Sequence, residues 1–144
     1  MRKAFLVFVC LILTLQLAGC GLFTSKSSFE AAAKEYYEAI KGKDFQRAAD
    51  FNSPAVFKKL SKEEIVQLFS KTNTKLGDLQ SFQLVDWNIH YELGIQGGVY
   101  CSLLYKVVYS KSEAEETVDL FRPIAGGQVK IIGYNVSSKD LLLG

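Results

Sequence analysis

Residues 99–110 read VYCSLLYKVVYS, and this segment decides the fold. An apolar or aromatic side chain stands at every second position, from Val99 through Cys101 and Leu103 to Tyr109. Alternation with period two places these side chains on one face of a β-strand, and the run is about twice the usual strand length of ~5–6 residues. A sheet of such long strands twists and coils, so we expect it to wrap around a second layer of structure.

Three further strand patterns surround this segment. We predict strands over residues 81–93, 116–124 and 129–137, each separated from the next by glycine-rich or polar turn residues, which favours antiparallel neighbours. Pro123 removes a hydrogen bond of the ladder, so that end of the third strand is expected at an edge or in solvent. The hairpin before the third strand carries three acidic residues that we expect to form a solvated tip: Glu113, Glu115 and Glu116.

The residues before the sheet have a helical pattern. Apolar side chains recur every three or four positions through residues 29–40. Ser27 with Glu30, and Ser61 with Glu64, have the spacing of a capping box, in which two side chains satisfy backbone donors at a helix start. Helices followed by long strands predict an α+β fold with N-terminal helices packed against a long, curved four-stranded antiparallel sheet.

Two short segments carry a resemblance to known folds. Residues 36–49, YYEAIKGKDFQRAA, combine a helix, a short loop, an aspartate, an aromatic residue and a double alanine, and residues 133–136, GYNV, lie in the closing strand. Together with the element order, they resemble the nuclear-transport-factor-like superfamily and, more loosely, the cystatin-like folds. The resemblance implies a cone-shaped domain over residues 28–138. Proteins of this shape include isomerases, dehydratases, binding domains and lipoproteins, whereas the Gln-x-Val-x-Gly hairpin of cystatin-type inhibitors does not occur in the sequence.

The start of the chain has the pattern of an export signal. Arg2 and Lys3 precede an apolar run of about a dozen residues, which is shorter than the ~20 residues that a spanning helix needs. The run ends in Leu17-Ala18-Gly19-Cys20, which resembles the lipobox of bacterial lipoproteins. The resemblance implies cleavage between Gly19 and Cys20 and a diacylglyceryl, palmitate-type modification of the Cys20 thiol. An ordinary cleaved signal and an uncleaved anchor are the alternatives.

These patterns divide the chain into three parts. We expect a signal peptide over residues 1–19, a lipidated cysteine with a flexible tether over residues 20–28, and a single α+β domain over residues 29–144. The lipobox resemblance implies a protein of the bacterial cell envelope. Gly21, and not aspartate, follows the cysteine, which favours the outer membrane, on its periplasmic side or surface, where the organism has one. Otherwise the outer face of the cell membrane is expected.

Composition argues against several classes of partner. The chain has 17 Lys+Arg and 15 Asp+Glu, and removal of the signal takes Arg2 and Lys3 away, so the mature charges balance. Nucleic acid binding needs a surplus of cations, so a nucleic acid partner is not expected. After processing, His90 and Cys101 are the only imidazole and free thiol, which are too few for a tetrahedral zinc site. We therefore expect no metal and no cofactor.

The aromatic residues suggest where a ligand would bind. We expect a pocket between the helical stripe and the sheet, lined by Tyr36, Tyr37, Ile40, Trp87 and Tyr105. Such a pocket would take a small apolar ligand or part of an envelope protein. The sequence therefore predicts a lipid-anchored binding or accessory module that is not an enzyme.

Two alternative functions stay open. Asp86 and His90 alternate with Trp87 along one strand, and in a closed concave pocket either side chain could transfer a proton, as in an isomerase or dehydratase. A polar face opposite an apolar one is also typical of a half-solvated strand. The second alternative is a structural envelope component without any pocket.

Overall fold

A computed structural model describes residues 26–94 and 97–138. The helices precede the strands, and the four strands form one antiparallel sheet in the order β1-β2-β3-β4, which confirms the predicted α+β fold. The proposed signal peptide and Cys20 lie outside the described residues. The elements are α1 (Lys26–Lys41), α2 (Phe45–Ala49), α3 (Pro54–Phe57), α4 (Lys62–Leu76), β1 (Leu79–Glu92), β2 (Gly98–Tyr109), β3 (Glu113–Pro123) and β4 (Lys130–Ser137).

One of the two expected capping boxes is present, at the start of α4. The Ser61 hydroxyl accepts a hydrogen bond from the Glu64 backbone N–H at 3.2 Å, and the Glu64 carboxylate accepts one from the Ser61 backbone N–H at 2.7 Å. The Ser61 hydroxyl also donates to the Glu64 carboxylate at 2.9 Å, and the bonds from the Ser61 N–H and hydroxyl lower the pKa of Glu64 because they stabilise the charged carboxylate. Gly77, with a φ of 89°, ends the same helix, as its position in the sequence predicts.

The first helix begins earlier than expected. The last three residues of the predicted tether, 26–28, belong to α1, so Ser27 does not cap this helix. Glu30 instead forms an ion pair with Lys26, one turn before it. Phe29 is fully buried, which fixes this first turn against the sheet. The domain therefore begins at or before Lys26.

The core lies between α1 and one face of the sheet. Both predicted apolar patterns are confirmed, because every second residue of β2 is buried and the stripe of α1 packs against it. Burial of apolar side chains is the main favourable term in folding. The core residues of α1 are Phe29, Ala33, Tyr36, Tyr37, Ala39 and Ile40, and those of β2 are Val99, Cys101, Leu103, Tyr105, Val107 and Tyr109.

A bulge in β1 changes which of its side chains face the core. Phe82 and Leu84 pair with residues on the core face of β2, and the register shifts between Leu84 and Asp86. Trp87 then faces the same side as Leu84, although their sequence spacing is odd. Val85, which regular alternation would place on the same face as Trp87, is the extra residue at the bulge and is exposed.

The core packing makes a prediction for two matched leucines. Leu103 is fully buried at the centre of β2, whereas Leu93 follows β1 and is 90% exposed. We expect Leu103→Ala to lower the free energy of unfolding by about 2–5 kcal/mol, because it removes buried methyl groups and leaves a cavity. Leu93→Ala is expected to change it by less than about 0.5 kcal/mol. Urea unfolding measures both, and equal losses would contradict this packing.

Candidate functional site

An apolar groove runs between the α3–α4 segment and β4. Its volume is about 440 Å³. The helical side contributes aliphatic and aromatic side chains, and six consecutive residues of β4 form the opposite wall. Leu68 of α4 lines the groove and is 49% exposed. The main apolar lining residues are Val56, Leu60, Ile65, Leu68, Phe69, Ile131, Ile132, Tyr134 and Val136.

Two tyrosine rings contribute to the lining of the groove. Tyr36 from α1 is buried, and its ring meets those of Phe69 and Tyr134 edge to face, with centroids 5.8 Å and 5.9 Å apart. The Tyr134 ring is exposed in part, while its hydroxyl hydrogen-bonds to the Glu116 carboxylate. Edge-to-face contacts orient aromatic rings more strongly than aliphatic contacts do. The aromatic lining is therefore held in place before any ligand arrives.

Polar groups also line the groove. Lys59 is exposed and follows α3, and Thr72 and Asn135 contribute from α4 and β4. The Asn52 side-chain amide donates a hydrogen bond to the Ala49 carbonyl at 3.0 Å. A mostly apolar cleft with a few polar groups is typical of small-molecule sites.

A buried carboxylate lies behind Tyr134. Glu116 is fully buried, and three tyrosine hydroxyls donate to it. Tyr37 donates to Oε2 at 3.0 Å, Tyr134 to Oε2 at 2.6 Å, and Tyr109 to Oε1 at 2.6 Å. These four residues, the Glu116 cluster, join α1 to three strands of the sheet. Glu116 does not line the groove, so a bound ligand would meet the Tyr134 ring and not the carboxylate.

This burial corrects the prediction of a solvated acidic tip. Glu113 and Glu115 are exposed, but Glu116 is two residues before Val118 and shares its core-facing side of β3. The hairpin turn is shorter than expected, because β3 already begins at Glu113. In the sequence, Glu116 shares one face of an alternating strand with Val118 and Leu120, which indicated that it would be buried. Its charge is the reason that we expected it in solvent.

Burial controls the protonation of this cluster. Desolvation raises the pKa of Glu116, and the three tyrosine hydroxyls oppose that rise because they stabilise the charged carboxylate. Desolvation, and then the nearby Glu116 charge, raise the pKa values of Tyr37 and Tyr109. These tyrosines therefore stay protonated and act as hydrogen-bond donors.

The five residues of the predicted pocket lie in different parts of the structure. Tyr37 stacks on Phe82 at 4.7 Å and meets Tyr105 at 4.8 Å between centroids, so these rings fill the space under α1. Ile40 is buried with them, and Trp87 lies half exposed near the start of α1. Of the five, Tyr36 alone lines the groove. The sequence identified the apolar faces, and the described core residues of these faces pack against one another under α1.

The side chains proposed for proton transfer lie on the outer face of the sheet. Asp86 and His90 are exposed, and the Asp86 carboxylate accepts a hydrogen bond from the Trp87 backbone N–H at 2.8 Å. His90 stacks on Tyr100, with ring centroids 4.8 Å apart. Cys101 faces the core, where burial raises its thiol pKa to about 11. Both proposed proton-transfer side chains are therefore accessible to solvent, and His90 lines a small cleft together with Tyr100 and Asp119.

The described residues contain neither a metal cluster nor a membrane-spanning helix. Within residues 26–94 and 97–138, no three His, Cys, Asp or Glu side chains are placed to hold a metal ion. In the same part of the chain, no helix has both the length and the apolar character to cross a membrane. No protein-family model matches the chain, and a search of curated proteins finds no significant match.

The Glu116 cluster makes stability depend on pH. The pKa of Glu116 in the folded protein lies above the ordinary value of 4.5, so folding favours the neutral carboxyl group. The contribution of the neutral Glu116 carboxyl group to the free energy of unfolding is fully present at low pH and is lost as the pH rises through the raised pKa. Glu116→Gln stays neutral at every pH. As the pH rises, we expect the free energy of unfolding of the unsubstituted protein to fall relative to that of Glu116→Gln, by about 1.4 kcal/mol for each unit by which the pKa of Glu116 is raised.

Urea unfolding from about pH 4 to about pH 8 measures this difference. Glu113→Gln is the control, because Glu113 is exposed and its removal should leave the pH profile unchanged. The low pKa values of Glu64 and Asp78 act with the opposite sign, but they are common to all three proteins and cancel. A difference between the unsubstituted protein and Glu116→Gln that stays constant with pH would contradict the assignment.

Proposed function

We propose that this chain is a lipid-anchored binding module of a bacterial cell envelope, and that its groove takes a small apolar ligand. The groove carries this proposal. Its volume of about 440 Å³ falls in the range of ~300–1,000 Å³ that is usual for small-molecule sites. The exposed Leu60 and Leu68 would lose contact with water on binding, which is worth about 25 cal/mol for each Å² buried.

The polar residues of the groove favour an elongated ligand with one polar end. The Tyr36 and Tyr134 rings and the leucines offer apolar contact along the groove. Lys59 brings a positive charge that is suited to a carboxylate or similar anionic group. A fatty acid combines these two features and is the simplest ligand class that fits.

A protein partner is the second candidate. The sheet order makes β4 an edge strand, and residues 131–136 line the groove without a gap. An edge strand presents backbone donors and acceptors to which an extended segment of another protein can pair. Near its start, β4 already pairs in this way, because the Ile131 backbone N–H donates to the Phe51 carbonyl at 2.8 Å.

The other functional alternatives receive less support. A proton-transfer enzyme based on Asp86 or His90 requires these groups in a closed pocket, and both are exposed on the outer face. A purely structural envelope component does not require a preformed apolar groove. A binding module uses the groove directly.

The anchor is the other half of the proposal. The proposal is supported by the sequence pattern that ends in Leu17-Ala18-Gly19-Cys20. In this proposal, the chain is cleaved between Gly19 and Cys20, and the Cys20 thiol carries the lipid. Each buried lipid CH₂ contributes about 0.8 kcal/mol, so two acyl chains hold a protein stably where one does so only marginally.

Binding in the groove is tested with a fluorescent fatty acid. The soluble chain from residue 20, carrying Cys20→Ser, is titrated with 11-(dansylamino)undecanoic acid, whose emission rises in an apolar site. We expect saturable binding, and we expect Leu68→Asp to weaken it at least about tenfold, or about 1.4 kcal/mol, because the new carboxylate must be desolvated in the groove.

Leu93→Asp is the matched control, because Leu93 is exposed outside the groove. It should bind the probe as the unsubstituted chain does. If both variants bind equally well, the probe does not occupy the groove. If an unlabelled peptide of alternating apolar residues displaces the probe more strongly than fatty acid does, the protein partner is the better assignment.

The anchor is tested by labelling cells with an alkyne analogue of palmitate. We expect the unsubstituted protein to carry the label and to fractionate with membranes, and Cys20→Ala to lose the label. Cys101→Ala is the control, because the buried thiol of Cys101 takes no part in processing and its label should persist. An unlabelled wild-type protein would overturn the anchor.

A further inference from the structure

Large apolar side chains are exposed along the second half of β1 and beside the turn that follows it. Trp87 and Tyr91 are 49% and 59% exposed on the core-facing side of β1, in the region where α1 begins. Leu93 follows β1, and Ile124 follows β3 and is 46% exposed. The Ile124 backbone N–H donates to the Gly97 carbonyl at 3.1 Å, which places it beside the turn between β1 and β2. We call these four residues the hairpin-end patch.

The chain enters the domain beside this patch. The Lys26 ammonium lies 5.1 Å from the centroid of the Trp87 ring, so the first residue of α1 contacts the patch. The other end of α1 lies at the opposite end of β1, because Lys43 forms an ion pair with Asp78 at 2.9 Å. The helix therefore runs away from the patch, and the residues before it are joined to the domain on the patch side.

This entry point limits the distance between the patch and the proposed lipid. Cys20 precedes Lys26 by six residues. A fully extended chain spans at most ~3.3–3.6 Å per residue, so the Cα atom of Cys20 lies within about 20–22 Å of the Cα atom of Lys26. A protein partner has no such restraint, whereas the lipid surface is held beside these side chains by a covalent tether.

We propose that the hairpin-end patch rests on the phospholipid surface that holds Cys20, an inference that depends on the anchor of the proposed function. The chemistry of the patch suits this surface. Tryptophan and tyrosine favour the boundary between headgroups and acyl chains, because each has an apolar ring and a polar group. Leu93 and Ile124 add aliphatic contact, and Lys26 brings a cation, paired with Glu30, to the headgroup level.

Contact at the patch is compatible with ligand binding. The groove lies along β4, at the edge of the sheet opposite to β1. None of the four patch residues lines the groove. The membrane contact would therefore fix the orientation of the domain and leave the groove accessible from the side.

Trp87 provides a direct test, because it is the only tryptophan in the chain. The full-length protein, processed in a lipoprotein-producing bacterium, is reconstituted into phosphatidylcholine vesicles with or without bromine on the acyl chains. Flotation measures the anchor, and the fluorescence of the floated protein measures the patch. We expect bromolipid to lower the Trp87 emission at least about twofold, and the emission maximum to lie at shorter wavelength than in detergent-free solution.

Two variants sharpen the test. Tyr91→Asp combined with Leu93→Asp should restore most of the Trp87 emission while the protein still floats. Trp87→Phe combined with Phe57→Trp moves the reporter to α3 beside the groove, where bromolipid should not quench it.

The outcomes separate the proposals. Flotation with quenching of Trp87 supports the membrane contact. Flotation without quenching overturns the contact and leaves the anchor intact. Failure to float overturns both the anchor and this inference, whereas binding of the fatty acid probe in the groove is measured independently. Quenching that is equal for tryptophan at positions 87 and 57 would also overturn the oriented contact.

Discussion

Contact between the apolar stripe of α1 and the core face of β2 holds this domain together. Tyr37 is at its centre, with its ring between Phe82 and Tyr105 and its hydroxyl bonded to Glu116. These rings fill the space around Tyr37 between α1 and the sheet. The two proposed binding surfaces lie at the margins of this core, one where α4 stands beside β4 and the other in the second half of β1, near the start of α1.

The Glu116 cluster gives this apolar core a defined geometry. Its hydroxyl and carboxylate groups come from α1, β2, β3 and β4, so one set of hydrogen bonds links the first helix to three consecutive strands of the sheet. A buried polar network is stable only when its members are satisfied together, and this requirement disfavours shifted strand registers. The same network holds Tyr134 against Tyr36 at the groove. The hydrogen bonds of the Glu116 cluster therefore help to determine the shape of the groove.

Sequence periodicity predicted the layers but not the site. The alternation through β2 and the capping box of Ser61 are local patterns, and both appear in the structure as expected. We expected Glu116 in solvent because it is charged, although its position in an alternating strand indicated burial. The bulge at Val85 reversed the facing of the first half of β1. The groove required knowledge of which α4 residues stand next to β4, and that pairing of distant segments has no signature in local spacing.

The direction of α1 has a mechanical consequence. With the second candidate, a protein partner at the edge of β4, tension between the proposed lipid and that partner would enter the domain at Lys26 and pull along the axis of α1. Such a pull shears the helix across β2, so many interlocked side chains from Phe29 to Ile40 share the load at once. A pull perpendicular to the axis of α1 would instead break these contacts one after another, at far lower force. The entry of the chain at Lys26 would thus allow the domain to bear tension between the proposed lipid anchor and a bound protein.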